Sequence, residues 1–473
     1  MPSRRQFLLS SGAAPLLAQA SRPRNILVLI ADDLGLHTGE YGDKTALTPN
    51  LDNLAREGVR FTNAFCTTAS CSASRSVILS GLQNHSNGHY GHAHAVHNLH
   101  YLPSIRPLPQ LLRDAGYRTG IIGKLHVNPL STFPWELNAE GGNRAVQGMA
   151  QKARQFIQQA GNRPWYLHVG YGDPHRAEQG FANRDYPGVT RTPFDPEKVQ
   201  VPGYLPDNPD ARKEVAEYYE AANRLDQGIG MMMNVLRETG QLENTLVMFL
   251  SDNGMPFPNA KTNCYDAGIH LPFLVRAPGR RRGLVNNAMV SWVDLVPTCL
   301  DWAAAKPPDY KLHGRSLLPI LEQENPPGWD QVYFSHTFHE ITMYYPMRGM
   351  RTKQYKYIRN LFPELEYPHA SDLWWSTTWQ SMLKQGEKAM VGKRPVGRYL
   401  HRAAEELYDI TRDPDEVNNL AAVPQHRAAL ESMRSQVLDW RRSTGDPWMI
   451  LQDYSGGPKP RSERERKGKK GGA

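Results

Sequence analysis

Cys71 lies in the run CTTASCSASRSVILSG over residues 66–81, directly before an apolar helical pattern, Val77-Ile78-Leu79, that Gly81 closes. At the mouth of a helix, unpaired N–H groups and the helix dipole favour an anion. Arg75, one turn on, adds a fixed positive charge to the same face. These surroundings suit a nucleophile aimed at an anionic substrate, although a lone cysteine before a helix is more often a small buried hydrophobe. Asp32-Asp33 and Asp252-Asn253 each follow an apolar run. Together they offer hard oxygen donors, a set that suits Ca2+ or Mg2+ rather than a soft metal. Lys124 and His126 follow another such run, His175 follows a third, and Lys261 lies beyond the Asp252 motif. Taken singly, each of these is a solvated charge or a satisfied histidine. Six histidines (85, 89, 92, 94, 97 and 100) crowd one segment. An irregular loop fixes no ligand geometry, so a loop lining a pocket mouth is favoured over a second metal site.

The elements that must position these residues alternate between strand and helix. The run from Asn25, bounded by Pro23 and Gly35, reads as a buried parallel strand that delivers Asp32 and Asp33 at its C-terminal end. Residues 49–59 form an amphipathic pattern with Thr48 as its cap, and 107–115 a second helix. Strands at 117–123, 165–171 and 245–250 end in Lys124-Leu125-His126, Asp173-Pro174-His175 and Ser251-Asp252-Asn253-Gly254, with a long helix at 211–240 between the last two. The pattern implies a large, mostly parallel α/β sheet with its polar residues gathered on one edge. After about residue 327 the texture changes. Residues 347–359 read as paired antiparallel strands around a turn near Lys353, 407–420 as turn-rich, and 426–442 as a helix, together a smaller α+β unit. Residues 370–398 have no clear period, and the pair Trp374-Trp375 is assigned to packing.

At 473 residues the chain is long for one core, and two domains are expected. The net charge of +8 sits largely at the ends: Arg4 and Arg5 at one, and seven basic against two acidic residues from position 458 at the other. The body is nearly neutral, which argues against nucleic-acid binding by the fold. No apolar run is long enough to span a membrane. Four cysteines are too few and too scattered for a disulfide framework, and neither Cys-x-x-Cys nor His-Glu-x-x-His is present to suggest zinc. The opening Ser3-Arg4-Arg5-Gln6-Phe7-Leu8, with a small-residue apolar stretch ending Ala18-Gln19-Ala20, reads as a twin-arginine export signal over 1–20. A bacterial protein, periplasmic or secreted, follows from that reading.

Residues 71–81 resemble the type I sulfatase signature, Cys-x-Pro/Ala-x-Arg followed by Leu-Thr-Gly. Cys71, Ala73, Arg75, Leu79 and Gly81 fall on it, with Ser80 in place of threonine. Asp32-Asp33, Gly123-Lys124-x-His126, His175, Asp252-Asn253 and Lys261 match the family's other motifs in the family's order. The resemblance implies an alkaline-phosphatase-like α/β fold: a large, mostly parallel sheet sandwiched by helices, and a smaller C-terminal α+β domain. The organisation that follows is an export signal at 1–20, a catalytic domain at 21–330, a C-terminal subdomain at 331–455 and a basic disordered tail at 456–473. The resemblance also implies that Cys71 is oxidised to formylglycine, by a formylglycine-generating or an anaerobic sulfatase-maturating enzyme. One Ca2+ is implied at Asp32, Asp33, Asp252, Asn253 and residue 71. Catalytic roles fall on Cys71, Arg75, Lys124, His126, His175 and Lys261, with His175 as the acid for the leaving group and His126 as the acceptor of the hydroxyl proton. A homodimer is left open.

Segments 256–258 and 339–348 resemble the sulfamidase branch of the family, which acts on the N-sulfate of glucosamine in heparan sulfate and heparin fragments. That branch implies a sulfated sugar as substrate, with His339 and Glu340 facing it. Lys261 stands where the branch has an arginine, so charge is kept and bidentate geometry is not. An O-sulfatase acting on another sulfated glycan or an aryl sulfate, a phosphonate or phosphodiester hydrolase of the same superfamily, and a sugar-binding relative with unconverted Cys71 are the competing readings.

Overall fold

Strand β1 (Asn25–Ala31) is buried along its whole length and is the middle of the molecule. A parallel strand covered on both faces needs a continuous apolar run, and the sequence at β1 supplies one. In this computed structural model, which describes residues 24–386 and 388–449, β1 is flanked in parallel by β5 (Trp165–Gly170) and β6 (Thr245–Ser251). The export signal and the basic tail expected at the two ends lie outside the described residues.

Five more strands complete an eight-stranded sheet: β2 (Val59–Phe65), β3 (Arg118–Gly123), β4 (Leu137–Glu140), β7 (Phe273–Arg276) and β8 (Leu284–Ser291). The order is β4-β3-β5-β1-β6-β7-β2-β8, and β7 runs antiparallel to both of its neighbours while the other pairs are parallel. Side chains alternate across β1. Leu27 and Leu29 join a core with the 30-residue helix Pro209–Glu238 and the helix Val146–Ala160. Ile26, Val28 and Ile30 join the opposite core, which includes α2 (Cys71–Ser80) and the helix Leu295–Ala303.

A second, four-stranded antiparallel sheet is built from β9 (Gln331–His336), β10 (Met347–Thr352), β11 (Tyr355–Asn360) and, past a short hairpin of β12 (Met390–Val391) and β13 (Arg394–Pro395), β14 (Glu405–Asp409). The helix Arg427–Ser443 covers one face through Leu430, Met433, Val437 and Trp440. Phe334, Met347 and Ile358 on the other face belong to the same core as Val290 of β8 and Trp292 just after it. The expected architecture, a large mostly parallel sheet between helices with a smaller antiparallel unit after it, is the one observed.

Three local expectations are corrected. The first helix, α1 (Pro49–Glu57), stops before Val59, which opens β2. Gly58 there lies against the backbone of Val275, where a Cβ would collide with its carbonyl oxygen. Thr48 does not cap α1 with its side chain; its hydroxyl instead accepts from the backbone N–H of Gly39 at 2.8 Å. The pair assigned to packing is exposed, Trp374 at 42% and Trp375 at 76%. Leu373 and Trp379 take the buried positions in that segment, because two short helices (Ser371–Trp374 and Thr377–Leu383) turn the pair outward. Among the described residues, no helix is long and apolar enough to cross a membrane.

Candidate active site

The parallel strands β1, β3, β5 and β6 end on one edge of the sheet, so the residues that follow them converge. Asp32 and Asp33 follow β1, Lys124 and His126 follow β3, Asp173 and His175 follow β5, and Asp252 and Asn253 follow β6. Cys71 opens α2 on the same edge, after Ser70 in extended conformation. Asp33 and His126 occupy left-handed backbone conformations, φ 67° and 63°. Non-glycine residues bear a cost there, and such conformations cluster at functional sites.

Asp32, Asp33, Asp252 and the Cys71 thiol bring one ligand atom each within 4.8 Å of one another, all four residues buried. The Cys71 thiol faces Oδ1 of Asp33 at 3.5 Å, and the Asn253 amide donates to that oxygen at 2.7 Å. The other amide atom, Asn253 Oδ1, is buried and has no hydrogen-bond partner. A buried unpartnered carbonyl oxygen beside three carboxylates is what a hard cation would use, and the donor set fits Ca2+.

Fixed positive charge surrounds this cradle. Lys124 Nζ donates to both carboxylate oxygens of Asp32, at 2.8 and 2.6 Å. Arg75, fully buried, donates from Nε to Asp252 at 2.8 Å and from Nη1 to the Lys124 carbonyl at 2.8 Å. Burial alone would raise the Asp32 carboxyl, but Lys124, His175 and Arg75 outweigh it and hold it well below the usual range. Asp252 goes the other way: burial, with Asp32 and Asp33 as like charges beside it, outweighs Arg75 and raises it. Burial and the Asp33 carboxylate push the Cys71 thiol well above its ordinary range.

Lys261 Nζ, completely buried, donates to Asp33 at 2.9 Å, to Asp372 at 2.6 Å and to Nε2 of His175 at 3.1 Å. His175 Nδ1 lies against the Arg176 carbonyl, which requires an N–H there and leaves Nε2 as the acceptor. Burial and Lys261 lower the affinity of His175 for a second proton, so the mobile proton of the pair rests on Lys261. The loop carrying His175 is anchored by Asp173, whose carboxylate accepts from Arg144 at 2.9 Å and from Arg224 at 2.7 Å.

His126 turns its Nε2 to Nδ1 of His94, at 2.7 Å. His339 is buried, with Nδ1 2.9 Å from the Ser70 hydroxyl, next to the position of the nucleophile. Glu340 accepts from the backbone and hydroxyl of Ser371 at 2.9 and 2.6 Å. That contact pins the segment that delivers Asp372 to Lys261. Sequence reasoning missed Asp372: it is an isolated acid in a stretch without period, and only a contact across 111 positions gives it a partner.

The model of the sulfatase family matches residues 24–305, and that of the C-terminal region of N-sulphoglucosamine sulphohydrolase matches 259–371. The chain is 39% identical to human N-sulphoglucosamine sulphohydrolase, over 92% of this chain and 93% of that one. It is 26% identical to an ulvan-active sulfatase of Formosa agariphila, over 93% of this chain and 78% of the relative. Among solved structures, that of BT4656 in complex with its substrate D-glucosamine-2-N,6-O-disulfate covers 90% of this chain and 99% of its own, with TM-score 0.67 and 20% identity. The phosphonate monoester hydrolase of Agrobacterium radiobacter covers 89% and 96%, with TM-score 0.68 and 18% identity. These two likenesses establish the alkaline-phosphatase-like fold. On the match over 24–305 and the 39% identity along nearly the whole chain, the protein belongs to the sulfatase family.

Proposed function

We propose that this sulfatase removes the N-sulfate of a glucosamine residue in heparan sulfate or heparin fragments. The observation that carries the reading is the match of residues 259–371 to the C-terminal region of N-sulphoglucosamine sulphohydrolase, a span that holds Lys261, His339 and Glu340. The 39% identity to the human enzyme, over 92% of this chain and 93% of that one, supports it.

Asp32, Asp33, Asp252 and Asn253 would hold Ca2+ beside formylglycine at 71, and the two together would supply a polarised hydroxyl able to attack sulfur. Lys124 and Arg75 present fixed positive charge where charge builds on the sulfuryl oxygens. A departing amine needs a proton, and the Lys261–His175 pair holds one at hydrogen-bond distance from His175 Nε2. Asp33 and Asp372 keep Lys261 charged for that role. His126 is assigned the hydroxyl proton, and His339 and Glu340 the sugar side of the pocket.

The same reading carries an organisation: export by residues 1–20 to the periplasm or beyond, a catalytic domain at 21–330, a C-terminal subdomain at 331–455 and a basic tail. A formylglycine-generating or anaerobic maturating enzyme is the partner that converts Cys71. The test pairs two measurements on the protein as isolated. The intact mass of the peptide containing residue 71 should show the aldehyde. N-sulfoglucosamine should yield amine and sulfate in equal amounts, while 6-O-sulfated N-acetylglucosamine is left untouched. Release of the 6-O-sulfate, with the N-sulfate intact, would move the assignment to an O-sulfatase.

A further inference from the structure

Three histidines outside the carboxylate cradle share one small volume beside the end of β3. His92, His94 and His126 each bring a ring nitrogen within 4.8 Å of the other two. Their ring centroids are 4.7, 5.1 and 4.9 Å apart, and His339 packs on His92 at 3.9 Å. Of the six histidines in the 85–100 segment, His92 and His94 are joined here by His126 from the end of β3, and the His97 ring lies 5.8 Å from each of the first two. His85 turns away to the Thr444 hydroxyl at 2.7 Å.

The imidazoles are poised as ligands. Burial, with Lys261, His94 and Lys124 nearby, keeps His92 neutral, with its affinity for a second proton lowered to about 2. His92 Nδ1 faces the Ser72 hydroxyl at 3.5 Å, which leaves Nε2 for another partner. The His92 backbone N–H is fixed to the His339 carbonyl at 2.8 Å. His94 Nδ1 and His126 Nε2, 2.7 Å apart, share a single proton between two lone pairs. A tetrahedral metal at about 2.0–2.1 Å from each nitrogen needs them about 3.3 Å apart. For that pair, replacing the proton by a metal takes a shift of about half an ångström, and His92, whose ring nitrogen lies within 4.8 Å of both, closes up on the ion as well. His94 is exposed on its loop and can move that far. The nearby ammoniums are already matched, Lys124 on Asp32 and Lys261 on Asp33 and Asp372, and the Glu340 carboxylate lies beside His92 and His339.

We propose that His92, His94 and His126 form a second metal site, selective for a borderline transition metal such as Zn2+, whose occupation closes the site to turnover by tying up His126. Neutral imidazoles suit Zn2+, whereas the oxygen cradle suits Ca2+, so the two sites sort the two ions by donor chemistry. The binding stands independently of the substrate; the closure rests on the sulfatase reading.

Untagged protein saturated with Ca2+ is titrated with Zn2+ by calorimetry, in parallel with His94→Ala and His92→Phe. The wild type should take up one Zn2+ per chain, and each variant should bind at least about tenfold more weakly. Co2+ should give visible bands of a nitrogen-ligated site that His94→Ala loses. His94 lies on the surface, so that variant folds whatever His92→Phe does. No uptake with Ca2+ in excess, or wild-type affinity in His94→Ala, would overturn the site. In the active enzyme Zn2+ should suppress turnover with the half-saturation seen by calorimetry; full turnover at saturating Zn2+ overturns the closure while the calorimetric arm still decides the site.

Discussion

Lys261 is held between two acids that come from opposite ends of the chain. Asp33 follows the first strand, and Asp372 comes from a segment that the small unit folds over the site, 2.6 Å from the ammonium. Burial opposes the Asp372 charge, yet Lys261 and His175 outweigh it and hold the carboxyl below its usual range. Asp372→Asn should leave Lys261 on Asp33 alone and loosen its alignment with His175. We expect kcat on the N-sulfated sugar to fall by about 10–100-fold, with KM changed little and Asp372→Glu recovering part of the loss. Steady-state kinetics beside thermal melts checks this. A large KM effect with kcat intact would make Asp372 a sugar ligand instead.

At the scale of elements, the close approach of β5 to the site explains a glycine. Gly170 ends β5, and a Cβ there would fall on the Lys124 carbonyl and lie 2.9 Å from Arg75 Nη1. The same carbonyl accepts from Arg75, so strand, lysine and arginine are positioned together. Gly170→Ala should cost about 1–3 kcal/mol of stability by overpacking. It should also lower kcat more than tenfold by moving Lys124 and Arg75, about 1.4 kcal/mol or more. Denaturant melts and kinetics on one preparation distinguish the two effects. Wild-type kcat in a destabilised variant would show that the site tolerates the shift. The helix α2 is buried at every one of its ten residues, and its left-handed cap at Gly81 (φ 68°) lets the chain leave beside Val296, where a Cβ would press at 3.0 Å.

Across the whole molecule, charge buried far from the site couples stability to pH. Asp446 accepts from Arg348 of β10 at 2.9 Å and from Arg441 of the last helix at 2.7 Å, tying the small sheet to that helix. Removing the carboxylate takes away the acid that Arg348 and Arg441 share, so Asp446→Asn should cost about 3–5 kcal/mol in chemical denaturation. Burial would raise this carboxyl, but Arg348 and Arg441 depress it, so its contribution is complete above 3.8 and is lost as pH falls below that value. Buried histidines set an earlier limit. Burial lowers His85, His89, His168 and His336 from 6.5 to about 3. The unfolded chain therefore binds more protons than the folded one between those values, and each such group removes about 1.4 kcal/mol per pH unit as pH falls below 6.5. The guanidinium midpoint should hold between pH 8 and 7 and drop steeply towards pH 5. Equal midpoints at pH 8 and pH 5 would contradict that reading.

The sequence by itself determined four strands of the large sheet, β1, β3, β5 and β6, and the polar residues that close them, but not β2, β4, β7 and β8. A parallel strand must be apolar throughout, so β1, β3, β5 and β6 were legible as runs, and the polar residues closing each run were bound to meet on one edge. The helix mouth at Cys71 was legible for the same local reason, from an apolar pattern closed by Gly81. Tertiary structure alone decided what those residues meet. Asp372 reaches Lys261 because Glu340 pins Ser371, a contact with no periodic signal in either segment. Trp374 and Trp375 face outward because two short helices spend the buried positions on Leu373 and Trp379. His92 and His94 meet His126 across the end of β3, while their neighbour His85 turns to Thr444 near the chain's far end. Periodicity reports which face of an element is buried, but pairings between irregular segments depend on the whole chain being folded.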